Sequence, residues 1–349
     1  MRRSGNLKRK SIILLCTASM LTLLLFASCA RQPEKATKTS FMMDTVMELT
    51  AYGDNAQKAV DAAIDAIKKI DKLMSVSSQD GDVYRINAAA GQSPVKISKE
   101  TMYVIQAAQH YSQLSNGLFD ITIGPLVNLW GIGTKNEIPT QADINKAKAL
   151  VDYRKFKVNT EAGTAELPEN GMAIDLGAIA KGYAADVAKE VLVRYGIKSA
   201  VINLGGNVVV IGNKTDGSLW RVGIQNPFEP NGDYVAVVEE ADKAVVTSGI
   251  YERYFIKDGK RYHHILNPFT GYPADNGLAS VSIISDKSID ADALSTLVFL
   301  LGPEKGMELV EDLSNIECIM ITTDKEILLS DGLKGKVKIV DKGFEYEER

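Results

Sequence analysis

The chain has 349 residues, 45% of them hydrophobic and 24% charged, which is enough apolar material for one large domain or two closely packed ones and unlike a low-complexity or disordered polypeptide. Its formal net charge is −4, and five basic residues (Arg2, Arg3, Lys8, Arg9, Lys10) fall within the first ten positions, so the remainder is more acidic still. That balance argues against nucleic acid as a partner.

The basic start is followed by a charge-free stretch, 12–27, that is short for a transmembrane helix and ends in small residues before Cys29. Residues Leu25 to Cys29 resemble a bacterial lipobox, with Phe26 where Leu is usual. The resemblance makes 1–28 a lipoprotein signal peptide and Cys29 a lipidated, palmitate-bearing N-terminus. It implies an exported protein held to the bacterial membrane on its extracytoplasmic face; an ordinary cleaved signal peptide is the alternative. The polar residues up to Ser40 read as a flexible tether, giving 29–40 as anchor and tether and 41–349 as the folded domain. Cys16 belongs to the leader and Cys318 lies alone in the apolar run 316–321, so Cys318 reads as a small buried side chain rather than a reactive thiol.

The fold begins near Phe41 with an alternating strand, 45–52, and a helix, 55–73, whose Ala59, Ala63, Ile67 and Ile70 share one face. Further helices are predicted at 101–114, 141–150 and 178–195, the last stopped by Gly196. A hairpin-rich section follows, with strands at 199–204, 208–211, 220–224, 234–239, 244–248, 251–256, 261–266 and 280–285. Helices at 291–301 and 304–313 and strands at 317–322 and 326–329 close the chain. No linker follows residue 40 and no repeat is visible, so the class is α+β: a single compact domain with antiparallel sheets packed against helices.

Five stretches carry chemistry. In Gly117–Gly133, two glycines bracket a β-like run; Asp120 taken alone reads as a turn organiser, and the glycines beside aromatics would let backbone approach a flat ring. In Ile174–Tyr183, a short strand runs into a helix whose first turn holds Gly177, Ala178 and Lys181, a seat for a phosphate or pyrophosphate, although Lys181 as a solvated helix residue accounts for the pattern equally well. The loop Ile202–Asn207 lacks both the Gly-x-Gly-x-x-Gly spacing and a following helix, so a nicotinamide site is rejected. His263 and His264 are adjacent strand residues that face opposite ways, so one can serve as a base while the other packs; a structural role for either stays open. Asp292 and Thr296 stand one helical turn apart, an arrangement of hard oxygens suited to Mg²⁺, with a dipole-favoured helix-start Asp as the alternative.

In series, Met43–Thr45, Met74–Ser75, Gly117–Asp120, Gly124–Gly131, Asp175–Gly182, Asn203–Gly206, Thr247–Gly249, His264–Gly271 and Ala291–Thr296 resemble the ApbE family of FAD:protein FMN transferases, over about 43–301. The resemblance implies an ApbE-like (T-fold-like) domain with FAD as substrate and Mg²⁺ as cofactor. It implies FAD contacts from Met43, Leu118, Phe119, Asp120, Asp175, Lys181 and Leu266, and Mg²⁺ held by Asp292, Thr296 and the carbonyl of Ala178. His264 matches the base of the family's His-x-x-Asp-Pro motif, with Asn267 in place of the Asp, and is expected to be catalytic together with Asp292. Ser77 stands where some relatives carry a Tyr against the nucleotide. The expected reaction moves FMN from FAD onto a Ser or Thr hydroxyl of an exported or membrane-bound acceptor protein, forming a phosphoester and releasing AMP. An FAD pyrophosphatase giving FMN and AMP, and an FAD-binding lipoprotein without turnover, are the alternatives.

Overall fold

The computed structural model describes residues 33–229 and 232–346, so the expected leader 1–28 and Cys29, the expected site of lipidation, lie outside the described residues. The first strand, β1 (Lys35–Met42), pairs residue for residue with β2 (Thr45–Tyr52) through a two-residue turn in which Met43 and Asp44 both have positive φ, 49° and 58°. The expected tether through Ser40 is therefore too long by six residues. Only Ala36 and Met42 of β1 are buried, so its composition looks solvated, and pairing with β2 makes it a strand.

The elements that follow are α1 (Ala56–Met74), α2 (Asp82–Ala88), β3 (Val95–Lys96), α3 (Lys99–Leu114), α4 (Gly124–Trp130), α5 (Gln141–Lys148), β4 (Lys157–Asn159), β5 (Thr164–Glu166) and α6 (Ala180–Arg194). Helix α1 buries Ala59, Ala63, Ile67 and Ile70 along one face, as the spacing requires, and each buried Ile contributes about 1.5–3 kcal/mol. Ser98 and Thr140 cap α3 and α5 by accepting the amides of Thr101 and Asp143, each at 3.2 Å. Helices α2 and α4 were not anticipated, and α4 forms in the apolar segment that follows the β-like run. Pro125 sits in its first turn, Leu126 and Trp130 bury one turn apart, and Gly131 ends it in the left-handed region.

After α6 come β6 (Ser199–Leu204), β7 (Asn207–Ile211), β8 (Trp220–Gln225), β9 (Tyr234–Glu240), β10 (Ala244–Gly249), β11 (Tyr254–Lys257), β12 (Lys260–His263) and β13 (Leu278–Ser285). Then follow α7 (Ser288–Leu301), α8 (Pro303–Glu311), β14 (Glu317–Thr322), β15 (Glu326–Leu329), a 3₁₀ turn (Asp331–Leu333), β16 (Lys338–Ile339) and β17 (Glu345–Tyr346). Nine strands form one sheet in the order β1-β2-β6-β7-β10-β13-β14-β15-β17, antiparallel throughout except for β15 with β17. The fold is α+β, as expected.

Alternation along the strands gives the sheet two apolar faces. Val209 of β7 joins the core shared with α1, α6 and α7, whereas its neighbour Val210 joins a second core under the three-stranded sheet β16-β9-β8. Central β13 is consequently buried at every position. A third, smaller cluster unites Leu126, Trp130, Ile144, Phe255 and Leu266, and it holds the separate β11–β12 hairpin against α4 and α5. Cys318 is fully buried in the first core, as its apolar surroundings predict. Residues from Lys35 onward form one compact unit, and no described helix is long and apolar enough to cross a membrane.

Candidate active site

One wall of the site is made where α6 and α7 start. Asp186 of α6 accepts the amides of Ser288 (2.8 Å) and Ile289 (2.9 Å), which fixes the beginning of α7 against its neighbour. Gly182 makes the approach possible, because a Cβ there would collide with the Ser288 carbonyl and with Cβ of Asp292. Its amide donates to Asp292 Oδ2 at 2.8 Å, while Asp292 Oδ1 lies 3.8 Å from Lys181 Nζ. Burial pushes the Asp292 carboxyl above the usual carboxylate range, opposed by the Lys181 charge and the amide bonds. Thr296, one turn on, places Oγ1 3.3 Å from Ser248 Oγ, which also meets Ser295 Oγ at 2.8 Å.

Helix α6 starts two residues later than expected. Ile179 (φ −149°, ψ −23°) is not helical, and Asp175 Oδ1 accepts the amide of Gly177 at 2.7 Å, so Gly177 and Ala178 form the turn ahead of the helix. Lys181 then folds back to donate to the Gly177 carbonyl at 3.1 Å.

The opposite wall carries His264, just beyond β12. Its neighbour His263 is buried, with Nε2 2.8 Å from the Ala274 carbonyl and its ring edge-on to Phe299, and burial pushes its pKa down. His264 faces the other way: its backbone amide donates to the Arg253 carbonyl at 3.1 Å and Nδ1 lies 3.4 Å from the same oxygen. A carbonyl only accepts, so Nδ1 carries the proton and Nε2 keeps its lone pair. Although the ring surface is open to the cavity, the surrounding walls, aided by the charges of Arg253, His263 and Lys181, bring its pKa down to about 3. It is a neutral acceptor at ordinary pH.

The third side joins the Met43–Asp44 turn to the loop before α4. Met43 donates its amide to Asp71 Oδ1 at 3.2 Å. Asp120 accepts from the Thr122 amide and hydroxyl, both at 2.7 Å, and from the Tyr153 amide at 2.8 Å, so it organises the turn as its sequence context suggests. This turn network is also why 117–122 is not a strand.

Met43, Leu118, Phe119, Asp120, Asp175, Ala178, Lys181, His264, Leu266, Asp292 and Thr296 all line one cavity of about 660 Å³. Sequence reasoning missed Asp71, Ser248, Glu252 and Arg253, which line it too. Arg253 had a findable signal: the register Tyr254 opposite His263 puts Arg253 opposite His264.

The sequence profile described as the ApbE family matches residues 43–320. The chain belongs to the ApbE family. Among its ApbE relatives, the FAD:protein FMN transferase of Klebsiella pneumoniae (strain 342) is 39% identical over 280 residues, covering 80% of this chain and 87% of the relative. That of Treponema pallidum (strain Nichols) is 33% identical over 330 residues, covering 89% and 91%. The solved ApbE protein from Thermotoga maritima superposes with a TM-score of 0.80 at 31% identity, over 87% of this chain and 99% of that one. The flavin transferase ApbE from Vibrio cholerae gives 0.78 at 29% identity over the same shares. The ApbE match takes in every cavity-lining position anticipated above, from Met43 to Thr296.

Among the described residues no three His, Cys, Asp or Glu side chains gather as a metal cluster. The donor set beside Lys181 is a single carboxylate with hydroxyls and carbonyls. Such hard oxygens fit Mg²⁺, which keeps several positions for water and substrate phosphate, better than a transition metal.

Proposed function

We propose that this ApbE-family transferase moves FMN from FAD onto a Ser or Thr hydroxyl of an acceptor protein, with Mg²⁺ and with release of AMP. The observation that carries the proposal is the convergence of Lys181, Asp292 and Thr296 on one wall and His264 on the other within a single cavity. Flavin transfer is also the activity named for its relatives.

Asp292, Thr296 and the Ala178 carbonyl would hold Mg²⁺, which when bound neutralises charge on the pyrophosphate. Lys181 holds phosphate oxygens at the positive end of α6, whose Gly182 amide is given to Asp292. Met43, Leu118, Phe119, Asp120, Asp175 and Leu266 enclose the rest of FAD. His264 Nε2 takes the proton of the acceptor hydroxyl as its oxygen bonds to the FMN phosphorus; the bond to the bridging oxygen breaks and AMP leaves with that electron pair.

The test incubates the purified chain with FAD, Mg²⁺ and a candidate exported acceptor. Expected are in-gel flavin fluorescence on the acceptor, a matching mass gain and AMP, all stopped by a chelator. AMP without labelling would make water the attacking group and the enzyme an FAD pyrophosphatase; no turnover would leave a binding protein. The acceptor is proposed to be an exported or membrane-bound protein, met at the extracytoplasmic face where lipid on Cys29 would hold the enzyme. Cys29→Ala should release the chain from the membrane fraction with activity retained, and continued membrane association would remove the anchor.

A further inference from the structure

The guanidinium of Arg253 lines the cavity yet has little engagement with the protein. Its recorded ion pair is with Asp44 Oδ2 at 3.8 Å, and the two side chains are 46% and 83% exposed, a pairing worth little in water. Its backbone carbonyl receives both the amide and Nδ1 of His264, so the guanidinium and the proposed base spring from facing positions of one hairpin. The charge is felt at that base, being the foremost of the neighbouring charges that keep His264 neutral. Lys181, the other cation lining this cavity, stands on the opposite wall and is already shared between the Gly177 carbonyl and Asp292. A substrate bearing two phosphates therefore meets an ammonium shared with Asp292 on one side and, on the other, a guanidinium whose carboxylate neighbours are the exposed Asp44 and the adjacent Glu252.

We propose that Arg253 is a catalytic residue that clamps oxygens of the phosphate undergoing attack, leaving Asp44 when FAD enters. The assignment rests on the function proposed above. Whichever phosphorus is attacked by a hydroxyl poised at His264 Nε2 must lie beside Arg253, and a guanidinium offers paired donors to two phosphate oxygens. Arg253 exchanges no proton. It binds the two charged oxygens while the acceptor oxygen bonds to phosphorus, the proton passes to His264 and AMP departs with the bridging oxygen. Asp44, in the turn after β1, gives the guanidinium up readily because the pair is long and exposed.

The experiment titrates the full chain, in a chelator so that nothing is consumed, with FAD and with riboflavin, which shares the ring but lacks phosphate, reading flavin fluorescence. Wild type should bind FAD more tightly than riboflavin; equal affinities would sink the functional proposal itself, before Arg253 is considered. Arg253→Ala should weaken FAD by about tenfold to a hundredfold, the range of a charged hydrogen bond, and leave riboflavin unchanged. Arg253→Lys should fall between, and guanidinium ion should restore part of the loss in Arg253→Ala. Unchanged FAD affinity in Arg253→Ala, or equal losses for FAD and riboflavin, would overturn the assignment. Asp44→Ala separates a clamp from a latch: it should bind FAD at least as tightly as wild type, and a loss matching that of Arg253→Ala would make the pair structural. If Arg253→Ala does not fold, Arg253→Lys carries the same comparison, with selective FAD loss supporting the clamp and none removing it.

Discussion

The cavity has one wall of helix against helix, sunk in the main core, and another made by a hairpin that belongs to no larger sheet. At the first wall Gly182, Ser288 and Asp292 are in backbone-level contact and Asp292 is 3% exposed. At the second, β11 and β12 pair only with each other and depend on a stack of Phe255 on Tyr262 (5.2 Å) and Tyr262 on Trp130 (5.8 Å), pinned where Trp130 Nε1 donates to the Gly271 carbonyl at 2.8 Å. Geometry that has to be held constant, the seat for phosphate and cation, is placed where interhelical packing leaves little room to move. The groups that meet two substrates in turn are placed on the element with fewer attachments.

The comparison can be broken most forcefully at Asp292. Asp292→Ala should cut FAD turnover by roughly 10³-fold or more with the far-ultraviolet spectrum unchanged, and retained Mg²⁺-dependent turnover would remove the proposed cation site. His264→Ala should cost about 10²-fold or more in the rate of transfer while FAD affinity holds. If affinity falls instead, the ring is a binding group and not a base.

Gly182→Ala tests the rigid wall alone. The added methyl has backbone on one side and Asp292 on the other, so a stability loss of roughly 3 kcal/mol is expected in denaturant titration. Trp130→Phe tests the hairpin wall and should cost about 1–2 kcal/mol by leaving the Gly271 carbonyl unpaired. Faster hydrogen exchange should then be confined to 254–263; if it spreads to α7, the two walls are one cooperative unit.

The smallest effect is on pH. His264 titrates near 3, so protonating it does not limit the free enzyme at mild acidity. Burial pushes Asp292 upward, as it does Asp71, Asp120 and Glu252 in the same cavity, and as pH falls through its raised value Asp292 gains a proton and loses the charge a cation needs. Because Mg²⁺ competes with that proton, raising its concentration should move the acid limb of kcat/KM to lower pH. A limb that stays in place would separate Asp292 from the metal.

Much of this was legible in the sequence because periodic burial has a periodic signature. The face of α1 and the alternation of β2 follow from it, and the stop after α6 follows from Gly196, whose φ is 83°. What was not legible has physical reasons. Strand β1 is polar because one edge strand needs few buried side chains, α4 is too short at seven residues to show a period, and Asp120 turns its loop by side-chain capture of amides. The site itself is non-local: nothing near Lys181 in sequence indicates that Asp292 lies 3.8 Å away, so its assembly was anticipated through the family resemblance. Arg253 was missed because an Arg two residues beyond a Tyr in a strand-like run looks like any solvated charge.

Strand β2 has one partner, β1, directly beside it in the chain and another, β6, that pairs Met47 with Leu204. The first pairing is available to a nascent hairpin, whereas the second must wait for a long loop to close. Asp292 is later still, and its helix needs both α6 and the central strands in place before it can be buried. The seat for phosphate is thus among the last features to assemble as the chain is made, and any product truncated before α7 would have the Met43–Asp44 turn and Lys181 but not Asp292.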